Sequence, residues 1–326
     1  MQIQQLAYVV AVADTLHFTQ AAQLLEVAQP TLSKQIRVLE DELGTPLFER
    51  TRGNITLTQA GELLVPLARR VLADVDTARR QVRELAGLQR GRVRLGATPS
   101  LITGLLADAL ADFRSALPDI ALHVQESGSQ DLVRRLQDGD LDMALLIASR
   151  HTADPALVST PLLREDLVVV SSADSAPPTT GDTMRVSDLR HHPLVMFREG
   201  YDLRTVTLQA CRDAGFEPRL AIEGGEMDAV LRFAEAGLGL AVVPSMVLAT
   251  RPRLRRTTLV EPRLRRTVVL AHRTGVAPPP AATAFRRSLM NHLEELAARG
   301  AGQDLEVVPV RTRLDLLRLP RPRPTP

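Results

Sequence analysis

From Thr58 to about Gln89, the apolar residues Leu64, Ala68, Val71, Val75, Ala78, Val82 and Leu85 alternate in steps of four and three. A repeat of that period held over three heptads is a seam, and it predicts a coiled-coil pairing of two copies of the chain. The alternative, a helix packed on its own domain, leaves such a long helix little neighbouring surface to lie on. Arg69, Arg70, Arg79, Arg80 and Arg83 fall off the seam. Thr58 is placed to cap the helix start, and Pro66 should kink its early part or free one carbonyl. At 326 residues the chain is long for one domain, so two or more compact units are expected around this linker.

Before the seam, three sets of apolar residues recur at helical spacing: Leu6, Val9, Val10 and Ala13; Ala21, Leu24 and Leu25; Leu32, Ile36, Leu39 and Leu43. Phe18 would plug the small core, Thr19 is placed to cap the second helix, and Pro30 marks the first turn of the third. Only Glu26 to Gln29 connects the second helix to the third, which suits a helix-turn-helix. Gly44-Thr45-Pro46 then breaks the pattern, and residues 47–57 read as a two-stranded ribbon turning at Gly53-Asn54.

The whole is a winged helix-turn-helix. Gln29, Thr31, Ser33, Lys34 and Arg37 line the start of its third helix with groups that read base edges and hold phosphates. Arg50 and Arg52 on the ribbon reach flanking phosphates or the minor groove. Glu40, Asp41 and Glu42 fall at the far end of the helix. Small three-helix units also serve in protein contacts, and residues 1–58 hold more acidic than basic side chains. Charge placement must therefore matter more than its sum. Lys34 is the only lysine in the sequence.

After the seam, apolar runs near 93–97, 120–125, 141–147, 167–171, 194–197, 219–222, 240–243 and 267–271 alternate with amphipathic stretches near 101–113, 130–137, 203–214, 228–236 and 281–298. Such alternation predicts an α/β unit of open, mostly parallel sheets with ligands at strand carboxyl ends. Two similar halves are expected, the chain crossing between them near 164–166 and returning near 264–267.

Several function classes find no support. His191-His192 lacks a third ligand at metal spacing, Gly237-Leu-Gly-Leu is too little for a phosphate loop, and no motif frames a nucleophile. No catalytic set, metal site or cofactor is expected. An aromatic content of 3% argues against platforms for stacking single strands. Cys211 is the one cysteine, which excludes an intrachain disulfide; a buried inert thiol is expected in place of a redox sensor. The net charge of +2 hides an acidic stretch over 93–250 and a basic one over 251–326. With no apolar run long enough to span a membrane and no leader, the expectation is a soluble, cytoplasmic protein.

The residues Phe18-Thr-Gln-Ala-Ala22, Val27-Ala-Gln-Pro-Thr-Leu-Ser-Lys-Gln-Ile-Arg37, Pro46-Leu-Phe-Glu-Arg50 and Leu57-Thr-Gln-Ala-Gly61 together resemble the LysR-type transcriptional regulators. The resemblance covers the N-terminal unit nearly residue by residue and the rest, to about Ala298, in architecture. It implies that Gln29, Pro30 and Thr31 meet bases, while Ser33, Lys34, Arg37, Arg50 and Arg52 hold backbone or groove edges, with Thr19 beside them. Ala28 departs from the family's usual serine and loses a helix cap, typically worth ~1 kcal/mol. The implied organisation is a DNA-binding domain over 1–58, a linker helix over 59–90 that forms a homodimer, either alone or paired into a homotetramer, and a regulatory domain over 91–299. That domain resembles a two-lobed periplasmic binding protein.

The resemblance places a small-molecule effector between the lobes. Thr98, Pro99 and Ser100, Gly128 and Ser129, and Arg198, Gly200 and Tyr201 each open a helix whose N–H groups suit a carboxylate, and Ala148 and Met227 stand at two further turns. The DNA expected is double-stranded, with two half-sites in rough palindrome. Residues 300–326, rich in Arg and Pro, lie outside the resemblance and read as a disordered tail or a DNA-binding arm. The alternatives are a solute-binding protein, or a regulator that has lost its ligand response.

Overall fold

The computed structural model describes residues 1–51, 54–85, 91–298 and 304–308, in two compact units, one over Met1–Gln89 and one over most of the remainder. The first holds α1 (Ile3–Thr15), α2 (Phe18–Leu24), α3 (Gln29–Leu43), the antiparallel hairpin β1 (Phe48–Thr51) and β2 (Asn54–Leu57), and α4 (Gln59–Leu85). Leu32, Ile36 and Leu39 are fully buried against Val9, Val12 and Ala21, as the stripe on α3 requires. Phe18 meets Phe48 edge to face at 5.9 Å, tying the helices to the hairpin. Leu43 leaves the expected core: it ends α3, where Gly44 turns left-handed at φ +71°, and it is 42% exposed. The cap of α2 is His17, whose Nδ1 accepts from the Thr19 and Gln20 backbone N–H groups; Thr19 is two places too late, already inside the helix.

Glu40 turns inward. Its Oε1 accepts the Leu47 N–H at 2.8 Å and fixes the entry to the hairpin. Thr58 caps α4 by accepting the Gly61 N–H at 3.1 Å. A β-carbon on Gly61 would stand 2.2 Å from the Leu47 carbonyl oxygen, which is backbone and has no rotamer to give. Gly61→Ala should therefore destabilise this unit by about 1–3 kcal/mol, seen as a lower thermal midpoint; an unchanged midpoint would mean that α4 slides freely on the hairpin.

In the second unit, one lobe is built on β3 (Arg92–Ala97), β4 (Ala121–Glu126) and β5 (Met143–Ile147), with α5 (Pro99–Leu101), a π-helical turn at Ile102–Leu106, α6 (Ala107–Ala116), α7 (Ser129–Asp138) and α10 (Pro280–Ala298). Its core includes Leu95, Phe113, Met143, Leu163 and Phe285, the two phenylalanines edge to face at 5.4 Å. The other lobe holds β7 (Thr183–Arg185), β8 (Leu194–Phe197), α8 (Asp202–Asp213), β9 (Leu220–Gly225), α9 (Met227–Glu235), β10 (Ala241–Pro244) and β11 (Leu254–Val260) around Val168, Val195, Phe197, Leu231 and Val242.

Two strands pass between the lobes. β6 (Leu157–Ser172) pairs with β12 (Arg265–Arg273) along its first part, and with β10 and β11 along its second. The crossings fall at Glu165 and Asp166 and at Arg265 and Arg266, which face each other in register, inside both expected windows. The sheets are mixed where mostly parallel ones were expected. β3 is parallel to β4 and β5, and β8 to β9, but β12, β10 and β11 run antiparallel to β6. A chain that crosses and returns through one sheet must place the two crossings in opposite directions.

A further strand, β13 (Leu305–Val307), adds to β6 at Leu163, Arg164 and Glu165. These three residues lie in the stretch expected to be a disordered tail. Leu305 and Val307 pack on the first lobe's core, and Glu306 faces Arg164 and Arg265. Residues 309–326 lie outside the described residues.

Candidate functional site

The start of α3 presents its polar side chains outward. Pro30, Thr31, Lys34 and Arg37 are exposed, Gln29 and Ser33 half-buried, on the flank opposite Leu32 and Ile36. None of the side chains of Gln29, Thr31, Ser33, Lys34 and Arg37 takes part in a hydrogen bond or ion pair with another described residue. No acidic residue stands in the first turn, so the positive end of the helix is open to an anion. Ala28 occupies the cap position without a side-chain hydrogen bond, as its lack of a hydroxyl dictates. Thr19 is exposed at the start of α2. Arg50 stands in β1 opposite Ile55; its side chain, and all of Arg52, lie outside the described residues.

Along α4 the structure sorts the seam. Val65 and Ala68 are buried and Leu64 is half-buried, Val65 and Leu64 belonging to the winged unit's own core, and an Arg69–Asp14 ion pair binds α4 to α1. The apolar row left bare is Leu63, Leu67 and Val71, at 69%, 52% and 41% exposure, continued by Val82 at 66%.

Between the two lobes of the second unit lies a cavity of about 50 Å³. Thr98, Pro99 and Ser100 at the start of α5, and Gly128 and Ser129 at the start of α7, line it from the first lobe. Arg198, Gly200 and Tyr201, leading into α8, line it from the second. Two expected residues stand apart. Ala148 is one residue past the end of β5, whose last residue Ile147 is the one that lines the cavity, and Met227 is buried in the second lobe's core. Sequence reasoning missed the apolar lining, Ile147, Leu167, Leu203 and Val206, and three charged residues, Asp202, Arg265 and Arg266.

Those charges organise the site. Glu165 and Asp166 are adjacent in β6 and both fully buried. Arg266 Nε donates to Glu165 at 2.8 Å, and its Nη1 to Ser100 Oγ at 2.9 Å. The other Glu165 oxygen accepts the Met246 N–H at 2.8 Å. Asp166 accepts from Arg265 Nε at 2.7 Å and also pairs with Arg263. Charges this deep persist only when paired, so the crossing strands are pinned by ion pairs that reach the cavity floor. Across the mouth, Ser129 Oγ donates to Asp202 at 2.9 Å, linking the start of α7 to the start of α8.

Tyr201 stacks on Phe197 with ring centroids 4.6 Å apart. Burial, and after it the Glu226 charge, make its hydroxyl harder to ionise than usual. Cys211 is buried in α8, and burial with the nearby Glu217 carboxylate pushes its thiol up to about 11, so at neutral pH it stays protonated and unreactive. Among the described residues no cluster of His, Cys, Asp and Glu is placed to hold a metal, and no helix is long and apolar enough to cross a membrane.

The sequence profile of the LysR substrate binding domain matches residues 86–294, and that of the bacterial regulatory helix-turn-helix protein, lysR family, matches residues 3–62. The chain belongs to the LysR family. It is a DNA-binding transcriptional regulator whose second unit is the family's effector-binding domain. Among its relatives, the hydrogen peroxide-inducible genes activator of Dickeya chrysanthemi is 31% identical over 310 residues, covering 92% of this chain and 100% of that one. The DNA-binding transcriptional dual regulator OxyR of Escherichia coli is 31% identical over 280 residues, covering 84% and 90%. Among solved structures, a full-length OxyR variant from Pseudomonas aeruginosa superposes with a TM-score of 0.67 at 26% identity, covering 90% and 95%. CbnR complexed with its target DNA superposes with a TM-score of 0.64 at 25% identity, covering 90% and 100%.

Proposed function

We propose that this LysR-family regulator acts in the cytoplasm as a homodimer joined along α4, itself paired into a homotetramer, and reads a two-half-site, roughly palindromic duplex through α3 and the wing. A small molecule held between the lobes of the effector domain biases one arrangement of the assembly over another. Such a ligand shifts the balance only by its differential affinity for the two arrangements. The observation that carries this reading is the pairing of an unengaged polar face on α3 with a lobe-to-lobe cavity whose floor is wired to both crossing strands.

The bare row Leu63, Leu67 and Val71 supports the dimer, since a contiguous apolar stripe on a long helix is costly to leave in water. Several relatives are named for induction by hydrogen peroxide. A thiol pair within one chain is not open to this protein, whose single cysteine is buried with a raised pKa. The response is therefore assigned to the cavity.

Two substitutions test the division of labour on DNA. Gln29→Ala should relax base preference, with a loss of discrimination of about 1–3 kcal/mol at the contacted base pair. Arg50→Ala should weaken binding to all sequences alike and lower the slope of log affinity against log salt by about 1. Gel-shift titrations against a matched and a scrambled duplex separate these outcomes, and an equal loss of selectivity from both variants would refute the assignment.

A further inference from the structure

We infer that the cavity selects an uncharged, hydrogen-bonding effector and discriminates against the carboxylates that the helix starts around it would suit. The inference rests on the cavity being the effector site, and it follows from which polar groups of the lining are already taken.

Each lining arginine has a carboxylate of its own. Arg265 is held by Asp166 and Arg266 by Glu165, both acids being fully buried. Arg198, at the mouth, is held by Glu226. A ligand carboxylate that drew Arg266 away would leave Glu165 charged in the interior, a state far costlier than the new pair could offset. The anion position at the start of α7 is also filled, because Asp202 reaches across the mouth to Ser129 Oγ. Among the described residues no arginine pairs with Asp202, and its charge is thus left over at the rim.

The acidic surroundings reach inward. Glu226, Glu126 and Asp202 all oppose ionisation of the Tyr201 hydroxyl, against Arg266 alone on the other side. Glu126 itself holds its proton more tightly than usual, through burial and through Glu226 and Asp228. An incoming anion would meet the same repulsion.

Apart from Arg266 Nη2, which makes no hydrogen bond of its own among the described residues but stands 2.8 Å from Glu165 Oε2 within their ion pair, what the buried lining leaves unsatisfied is neutral. Thr98 Oγ1 and the Tyr201 hydroxyl have no hydrogen-bond partner among the described residues, though their residues are only 6% and 9% exposed. Buried hydroxyls without partners are rare in folded proteins, and two beside one cavity mark a polar group still to arrive. Beside them Ile147, Leu167, Leu203 and Val206 offer an apolar wall. The ligand that fits is small and neutral, with a carbonyl, amide or hydroxyl meeting Thr98 and Tyr201 and an apolar remainder on that wall. In this conformation 50 Å³ admits only a few non-hydrogen atoms.

The test uses three probes of one shape, propionamide, propionate and propylammonium, titrated onto the full chain by saturation-transfer NMR at constant ionic strength. Propionamide is expected to bind about tenfold more tightly than either ion. Tyr201→Phe and Thr98→Val should each weaken it severalfold while leaving the thermal midpoint unchanged or raised, since each removes an unpaired buried hydroxyl. Propionate or propylammonium binding as tightly as the amide would overturn the inference while keeping the cavity as the effector site. Amide binding that ignores both substitutions would overturn the hydroxyls as its receptors. No binding by any of the three would overturn the cavity reading itself, and the inference with it.

Discussion

Arg266→Ala should destabilise the effector domain by about 3–5 kcal/mol, the range for removing one partner of a buried ion pair. The guanidinium serves three neighbours at once. It neutralises Glu165, orients Ser100 at the cavity floor, and holds β12 to β6 where both strands pass between the lobes. Without it Glu165 keeps, among the described residues, only the Met246 N–H, one neutral donor for a fully buried carboxylate. In a domain of this size the loss corresponds to a midpoint lower by roughly 10 °C.

A double variant separates loss of the pair from loss of side-chain volume. Arg266→Met with Glu165→Gln removes both charges while keeping most of the packing, and should recover most of the stability while losing the Ser100 contact. Differential scanning calorimetry on the three proteins measures both effects. A loss below about 1 kcal/mol in Arg266→Ala would place the ion pair among ordinary surface pairs and remove it as the pin of the crossing.

The second large effect concerns α4. Leu67→Asp combined with Val71→Asp should break the α4 pairing and halve the assembly to the dimer its other interface holds, with the fold of each chain little changed, because both side chains are substantially exposed in the single chain. Affinity for a two-half-site duplex should then fall by about 10²–10⁴, the gain that linked binding supplies, while affinity for an isolated half-site stays near its original value. Light scattering gives the mass and gel shifts give both affinities. An assembly of unchanged mass in the presence of both aspartates would move the interface away from α4.

The difference between what the sequence announced and what it concealed is physical. Leu32, Ile36 and Leu39, or Leu194 to Phe197, belong to local patterns, and a helix stripe or an apolar strand can be read from its own neighbours. The starts of α5, α7 and α8 were legible for the same reason, as turns following strands, and they placed eight cavity residues. Ala148 and Met227 fall outside the cavity lining because position at a turn does not fix where a side chain points.

β6 was half missed because Arg164, Glu165 and Asp166 interrupt its apolar run and read as a break in the strand. Those charges are tolerable only through partners about a hundred residues further on, Arg265 and Arg266, and no local pattern carries that information. β11 was missed similarly: Arg255 and Arg256 mask a strand in which Leu254, Thr257 and Leu259 are buried, and the spacing of 254 and 257 breaks the alternation that would have marked it. The seam expected on α4 includes two positions, Leu64 and Ala68, that the winged unit packs against itself. Only the fold decides which flank of a long helix its own domain covers.

Footprinting of the DNA flanking the protein's own gene, at modest salt and with the full chain, tests the central claim most directly. The account predicts two protected segments whose centres lie about one helical turn, or a whole number of turns, apart, and their loss with Leu67→Asp and Val71→Asp. A wild-type protein that protects no region, or protects DNA without regard to sequence, would contradict it.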